Sequence, residues 1–363
     1  MPTPEAIRIE AKRLRDLFAA HGAEIVRPDV LQSADTLLDI YGEDIRARAY
    51  VTSDPLRGEM MLRPDFTVPI VQTHMETMAE PARYAYAGKV FRKQETDPAR
   101  PIEFVQAGYE VFDGQDPAGA DAEVFAAMAE GLAGLPVRAV TGDLGVLTAA
   151  VRGLDTTEDR KAALMRHIWR PKRFVALLER FAGRTPVPEG RAALLAAADP
   201  MAAAGPDIGL RSRAEVAERI ERLRADAAAP PIPAGQIALI DRLLALRARL
   251  PEAVAALDAA ARKMPALAAA ARACALRMEA LAARGADVAA LQFEGAFGRT
   301  TLEYYDGFVF GFEAWGAAAG APMVSTGGRY DALTRVLGRG RAVPAVGGII
   351  RPALALALRE GRG

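Results

Sequence analysis

The chain has a single cysteine, Cys274, in 363 residues. That excludes an internal disulfide and any cysteine-based zinc cluster. Cys274 itself reads as a small core residue. Only three histidines are present, His21, His74 and His167, too scattered to set up a metal site. Net charge is also missing: 46 Lys plus Arg face 46 Asp plus Glu. No global basicity points to a polyanionic partner, although a local basic patch stays open. No apolar run approaches the roughly 20 residues that a spanning helix needs. Pro2 and Pro4 precede an amphipathic segment rather than the apolar core of a signal peptide. The expectation is a cytoplasmic protein with no membrane partner, no metal and no cofactor. With 51% hydrophobic and 25% charged residues, the composition is that of an ordinary globular chain. Its length exceeds one typical domain and can bury a large core.

What the chain does have is a concentrated polar pattern between Arg83 and Gly114. The pattern predicts two strands, Tyr84–Phe91 and Ile102–Phe112, joined by a charged loop. Gln106 and Glu110 are four apart and so project from one face of the second strand. Arg92 ends the first strand and can reach over that face. An arginine, an amide and a carboxylate converging there suit a small zwitterion, with its carboxylate on the arginine and its ammonium on the glutamate. An ordinary sheet with a solvated polar face gives the same pattern.

The remaining chain alternates helix and strand signals. A helix is expected over Glu5–Ala19, with Ile9, Leu14, Leu17 and Phe18 on one stripe and Gly22 as its stop. Ala23–Arg27 reads as a strand ending at Pro28, the place of an edge-strand proline. Asp29–Asp54 reads as helical and then turn-like. Glu59–Thr67 is a strand followed by a helix start, which Asp65 or Thr67 can cap. Further helices are expected over Pro117–Leu132 and Asp143–Val151, with a short strand at Pro136–Val140. The Ala-, Leu- and Arg-rich stretch that follows reads as a helical region broken at prolines. Acids interleave with its arginines, which fits a solvated helix face better than an RNA surface. Strands resume at Val288–Phe297, Leu302–Phe312 and Met323–Ser325. Tyr304 and Tyr305 would then face opposite sides of a strand. Gly327–Asp331 reads as a tight glycine turn. Ala345–Ile350 is the last strand, and Pro352 starts the last helix.

Four ordered segments carry a resemblance. Gly88, Phe91, Arg92, Arg100, Phe104, Gln106, Gly108 and Glu110 resemble motif 2 of class II aminoacyl-tRNA synthetases, in the form used by histidyl-tRNA synthetase. LRPDFT at Leu62–Thr67, LEYYDGFVF at Leu302–Phe310 and GGRYDAL at Gly327–Leu333 follow the same family's order. The resemblance implies an α+β fold: a class II synthetase-like mixed or antiparallel sheet flanked by helices, with a helical insertion. It divides the chain into a first core part at 1–165, the insertion at 166–287 and a second core part at 288–363, with no anticodon-binding domain. It also implies a histidine pocket built from Asp65, Thr67, Arg92, Gln106, Glu110, Tyr304, Tyr305 and Tyr330. In that pocket Arg92 would pair with the carboxylate and Asp65 and Glu110 with the ammonium. Tyr330 and one of the paired tyrosines would hold the imidazole. Pro28 falls where these synthetases carry the proline of their dimer-forming motif 1.

The departures from the pattern are as informative as the matches. Thr300 stands where the synthetases carry the arginine that promotes adenylate formation, and Arg299 is one residue out of register. Ala353 and Leu354 stand where motif 3 ends in a Glu-Arg pair, whose arginine clamps the ATP phosphates. Developing charge on the α-phosphate needs such cations. Lys93-Gln94 replaces a His-Glu pair, leaving Glu95 as the nearest acid. These losses resemble the regulatory subunits of ATP phosphoribosyltransferase, a family of truncated, non-catalytic paralogues that shares the R-P-D-x-T form. That resemblance implies a short-form catalytic subunit as partner, L-histidine as effector, a self-dimer through the motif 1 region and a hetero-octamer. It implies no tRNA and no catalytic residue in this chain. A shortened or degenerate histidyl-tRNA synthetase is the alternative.

Overall fold

The computed structural model describes residues 2–41, 45–94, 98, 100–202, 204–205, 209–299, 304–318 and 320–361. Glu95, Thr300, Leu302 and Glu303 lie outside the described residues. In chain order the strands are β1 (Glu24–Ile25), β2 (Leu31–Ser33), β3 (Val51–Asp54), β4 (Gly58–Leu62), β5 (Ala82–Phe91) and β6 (Glu103–Phe112). They continue as β7 (Val137–Asp143), β8 (Arg247–Arg249), β9 (Gln292–Glu294), β10 (Phe308–Ala314), β11 (Ser325–Arg329) and β12 (Ala345–Ile350). Among the described residues, nine of them form one sheet in the order β1-β5-β6-β12-β11-β10-β7-β9-β8, and β2-β4-β3 form a small second sheet. β1 runs parallel to β5 and β7 parallel to β9, whereas the other neighbours are antiparallel. This is the mixed sheet of an α+β fold.

Period-two alternation sorts each long strand between two cores. From β6, Ala107, Tyr109 and Val111 enter the larger core, which the helices Pro4–Ala20, Pro117–Gly131 and Leu144–Arg152 and those of the 171–283 region cover. Phe112 enters the other core, with Tyr86 and Val90 from β5, under the helix Thr67–Thr77 and the small sheet. Gln106 and Glu110 share that second face. The long hairpin β5–β6 pairs Tyr86 with Gly108 and Tyr84 with Glu110, so the polar residues sit in a fixed register.

Several expectations need correcting. The 29–54 stretch holds β2 and β3 as well as helix. These strands are short and mostly exposed, so no alternation marked them, and only pairing with β4 defines them. Ile9 is 61% exposed, and the buried stripe of the first helix takes Glu10 instead. Glu10 is tolerable there because Arg13 and Arg359 both donate to it. The Val288–Phe297 strand shrinks to β9, because a turn with Gly298 at φ +86° follows. Gly327, Gly328 and Arg329 are not a turn but the body of β11. A Cβ at Gly327 would lie 2.2 Å from the Phe310 ring and 2.5 Å from the Gly347 carbonyl, so close packing requires this glycine. Within 166–287 the chain is not wholly helical: β8 forms the outermost strand of the main sheet, paired to β9. Among the described residues no helix is long and apolar enough to cross a membrane.

A buried ion network ties the 166–287 stretch to the sheet. Arg277 projects from the helix Ala268–Ala283 and donates to Asp121 at 2.7 Å and to Asp143 at 2.8 Å. Arg329 of β11 donates to the other oxygen of Asp121 at 2.8 Å and to Asp331 at 3.0 Å. Asp121 is 1% exposed. Cys274 sits beside this network, its thiol directed at Asp143. Losing one partner of a buried ion pair costs about 3–5 kcal/mol, because an uncompensated charge is left behind. Arg277→Met is therefore expected to lower unfolding stability by about 3 kcal/mol or more. Urea denaturation measures this, and an unchanged midpoint would show that the network does not hold the stretch to the core.

Candidate functional site

On the second face of the sheet lies a cavity of about 240 Å³. Its floor is β6, β12 and β11, through Gln106, Glu110, Gly347, Gly348, Ile349 and Thr326. Its walls are Asp65, Phe66 and Thr67 at the start of a helix, Tyr86 and Arg92 from β5 and its end, and Tyr304, Tyr305 and Arg351. Seven of the eight expected site residues therefore line one space. The exception is Tyr330. It lies beneath the cavity, and its hydroxyl is spent on Glu110, so it is placed to orient the acid rather than to hold an imidazole.

Glu110 is the centre of this arrangement. It is 1% exposed. One carboxylate oxygen accepts the hydroxyls of Tyr86 at 2.9 Å and Thr67 at 3.0 Å, and the other accepts Tyr330 at 2.6 Å. Two glycines make room. A Cβ at Gly347 would stand 1.5 Å from a Glu110 oxygen, and one at Gly108 would stand 2.3 Å from the Tyr86 ring and hydroxyl. Burial pushes the Glu110 carboxyl up to about 7, against the pull of the three hydroxyls, and the nearby Asp65 pushes the same way. The Tyr86 and Tyr330 hydroxyls are held well above their usual range by burial and by Glu110, so they stay protonated donors.

The other motif residues divide into those that face the cavity and those that brace it. Arg63 is a brace: it donates to the carbonyls of Lys89 and Pro28 and lies over Phe66. Phe66 in turn stacks on Tyr86 with centroids 4.3 Å apart. Asp65 accepts the amide of Val68 at 3.2 Å and so caps the helix whose first residue is Thr67. Asp306 accepts the amides of Asp331 and Ala332 and anchors the segment after Tyr330. Tyr304 and Tyr305 precede β10 instead of lying within it, so strand alternation does not apply. Both rings line the cavity, edge to face with centroids 4.9 Å apart. Trp169 donates its indole N–H to the Tyr305 carbonyl at 3.2 Å.

Cations and unpaired acceptors complete the site. Arg92 donates to the Pro64 carbonyl at 2.8 Å, which holds its guanidinium at the rim. The Gln106 side-chain oxygen is buried with no partner. Leu354 packs toward the larger core, and neither it nor Ala353 lines the cavity. Arg299 turns away to the Ile168 carbonyl and the Phe174 ring. Sequence reasoning missed Tyr86 and Arg351. Tyr86 carried a usable signal, because it sits opposite a glycine and on the face of Gln106 and Glu110. Arg351 carried none, since nothing in the spacing separates it from an ordinary residue between strand and helix. Two acids, two arginines and an unfilled acceptor around one cavity suit a small zwitterionic ligand.

The chain is similar to known proteins along most of its length. The sequence profile of the histidyl-tRNA synthetase family matches residues 3–231 and 212–352. ATP phosphoribosyltransferase regulatory subunits from Brucella canis and Brucella ovis are each 32% identical over 368 aligned positions, covering 95% of this chain and 94% of theirs. A Bacillus halodurans structure described as an ATP phosphoribosyltransferase regulatory subunit/histidyl-tRNA synthetase superposes with a TM-score of 0.68 at 21% identity, over 98% of this chain and 79% of that one. Histidyl-tRNA synthetase from Nostoc superposes with a TM-score of 0.64 at 16% identity, over 100% of this chain and 76% of that one.

The titration of Glu110 gives a stability test. Its ordinary value is 4.5, and folding raises it to about 7. The folded state thus holds a proton that the unfolded chain releases, and stability from this group is fully present below 4.5 and lost as pH rises through about 7. Glu110→Gln cannot lose that proton. The melting temperature of Glu110→Gln relative to the parent is therefore expected to climb between pH 5 and pH 8, without added ligand. A difference that stays flat across that range would show that Glu110 is not a buried neutral acid.

Proposed function

The chain belongs to the ATP phosphoribosyltransferase regulatory subunit family, and from that premise we propose that it is a non-catalytic, cytoplasmic subunit. It activates a short-form catalytic chain and carries L-histidine as the feedback signal. The observation that supports this most is the pairing of a complete zwitterion cavity with an incomplete phosphate site. Glu110, Asp65 and Gln106 offer acceptors to an ammonium, and Arg92 offers a cation to a carboxylate. Leu354, where a synthetase would carry its phosphate clamp, packs toward the core. The cavity volume of about 240 Å³ is below the roughly 300 Å³ at which sites for drug-sized ligands begin. It suits one amino acid, not an amino acid together with a nucleotide.

A protein without chemistry of its own acts by shifting another protein's equilibrium. Histidine can inhibit through this chain only by binding the active and inhibited assemblies with different affinity, typically by about 1–3 kcal/mol. The reconstituted pair is expected to make phosphoribosyl-ATP faster than the short catalytic chain alone and to be inhibited by histidine. Glu110→Ala is expected to preserve activation while weakening histidine binding about a hundredfold, since it removes one partner of a buried charge. The same preparation is expected to show no histidine-dependent ATP–pyrophosphate exchange. Exchange that scales with this protein would favour the shortened-synthetase alternative. Unchanged inhibition in Glu110→Ala would assign feedback to another site.

The motif 1 region also supports a self-dimer, on which a hetero-octamer would be built. β1 is the end strand of the main sheet, and Ile25, Val30 and Leu31 expose apolar surface on either side of Pro28. Sedimentation of the isolated chain at micromolar concentration is expected to give a dimer mass, and a monomer would overturn this assignment.

A further inference from the structure

The cavity contains a second arginine that neither the motif pattern nor the family resemblance assigns. Arg351 follows β12, at the start of the last helix. Its backbone amide donates to the Val324 carbonyl at 2.9 Å, and one terminal nitrogen donates to the Met323 carbonyl at 2.7 Å. These two bonds fix the side chain against β11 and leave most of the five guanidinium N–H groups unused. The guanidinium lines the cavity beside Arg92. Among the described residues no carboxylate pairs with either arginine.

Arg92 and Arg351 are both half-buried, and an unpaired cation drawn out of water is costly, more so with a second one beside it. The strain shows in Arg351. Burial first, and then Arg92, pull its guanidinium down to about 10, far below where an arginine normally titrates. The opposing pull comes from Tyr305 and not from a carboxylate. The charges sort by sign: Asp65 acts on Glu110, while Arg92 acts on Arg351. A fold with only structural needs gains nothing from two repelling guanidinium groups in one small space. An anion between them offsets both.

We propose that Arg351 is the group that binds the ligand's α-carboxylate, together with Arg92. The proposal rests on the reading of the cavity as an amino-acid site. It adds that the carboxylate end has been rebuilt from the last helix, so the anion site of this chain is made for a carboxylate and not for a reacting phosphate. Arg351 follows β12, the strand paired with the motif 2 strand β6. With Arg92 it forms two donors that close on one planar carboxylate, the geometry in which charge-assisted bonds are strongest.

The test compares two ligands that differ only at that end. L-Histidinol keeps the ammonium and the imidazole of L-histidine and replaces the carboxylate by a neutral CH2OH. Both are titrated by calorimetry into the full chain, parent and Arg351→Gln, after thermal melts confirm that the variant folds. Arg351→Gln is expected to weaken L-histidine binding about tenfold or more and to change histidinol binding by less than about twofold. Arg351→Lys, which keeps the charge but not the planar fork, is expected to fall between and carries the test if the glutamine variant does not fold. Equal loss for both ligands would mean that Arg351 only supports the fold through Met323, and no loss for either would remove it from the site. Inorganic phosphate that competes with histidine at similar concentration would overturn the carboxylate assignment in favour of a phosphate site. A parent protein that binds neither amino compound would instead refute the amino-acid reading itself.

Discussion

Much of this structure follows from one buried carboxylate. Glu110 is almost fully removed from water, and such a group needs partners on every lone pair it keeps. Its three hydroxyl donors come from three separate parts of the chain: Thr67 at a helix start, Tyr86 on the neighbouring strand and Tyr330 more than two hundred residues later. Each donor carries its own support. Tyr86 needs Gly108 beneath it and Phe66 against it. Tyr330 needs the Asp306 anchor and the Arg329–Asp121 pair behind the sheet. Gly347 must lack a side chain for the acid to fit at all. The motifs scattered through the sequence are thus one constraint seen from several positions.

The same logic separates what the synthetase-like fold keeps from what it gives up. The acid end of the cavity is over-determined, so no single part can be changed without stranding a charge or an acceptor. Leu354 shows what is given up: it adds to the apolar packing of the last helix instead of reaching across the site. An acid end kept beside lost cations suits recognition without transition-state stabilisation, which is the proposed role.

How much was legible in the sequence depended on how local the cause was. The β5–β6 hairpin carried its own signals, alternation and polar spacing, and its face assignment for Gln106 and Glu110 agrees with the structure. The helix start near Asp65 carried a capping signal, and the Asp65 carboxylate does accept the Val68 amide. What failed was whatever depends on distant packing. β2 and β3 exist because β4 lies between them. The glycines of β11 looked like a turn because the Phe310 ring that demands them is seventeen residues away. Tyr304 and Tyr305 looked like strand residues because β10 begins only at Phe308. Arg351 was invisible for the same reason, since its meaning comes from Arg92, which is distant in sequence and lines the same cavity.

A receptor built this way stores a mismatch and releases it on binding. In the empty cavity Glu110 is forced toward its neutral form by burial and by Asp65, while Arg351 is strained by burial and by Arg92. A zwitterion brings no net charge, yet it supplies a cation to Glu110 and an anion to Arg351. The same molecule therefore relieves two opposite penalties, and a ligand that carries only one of the charges relieves one. On the proposed amino-acid reading of the cavity, selectivity for amino acids over amines or acids would come from the arrangement of charge and not from cavity size alone. Relief of this kind biases a partner only if the cavity differs between two assemblies. The Tyr305 carbonyl, bonded to Trp169 at the edge of the helical region, gives the cavity a direct mechanical contact with that region.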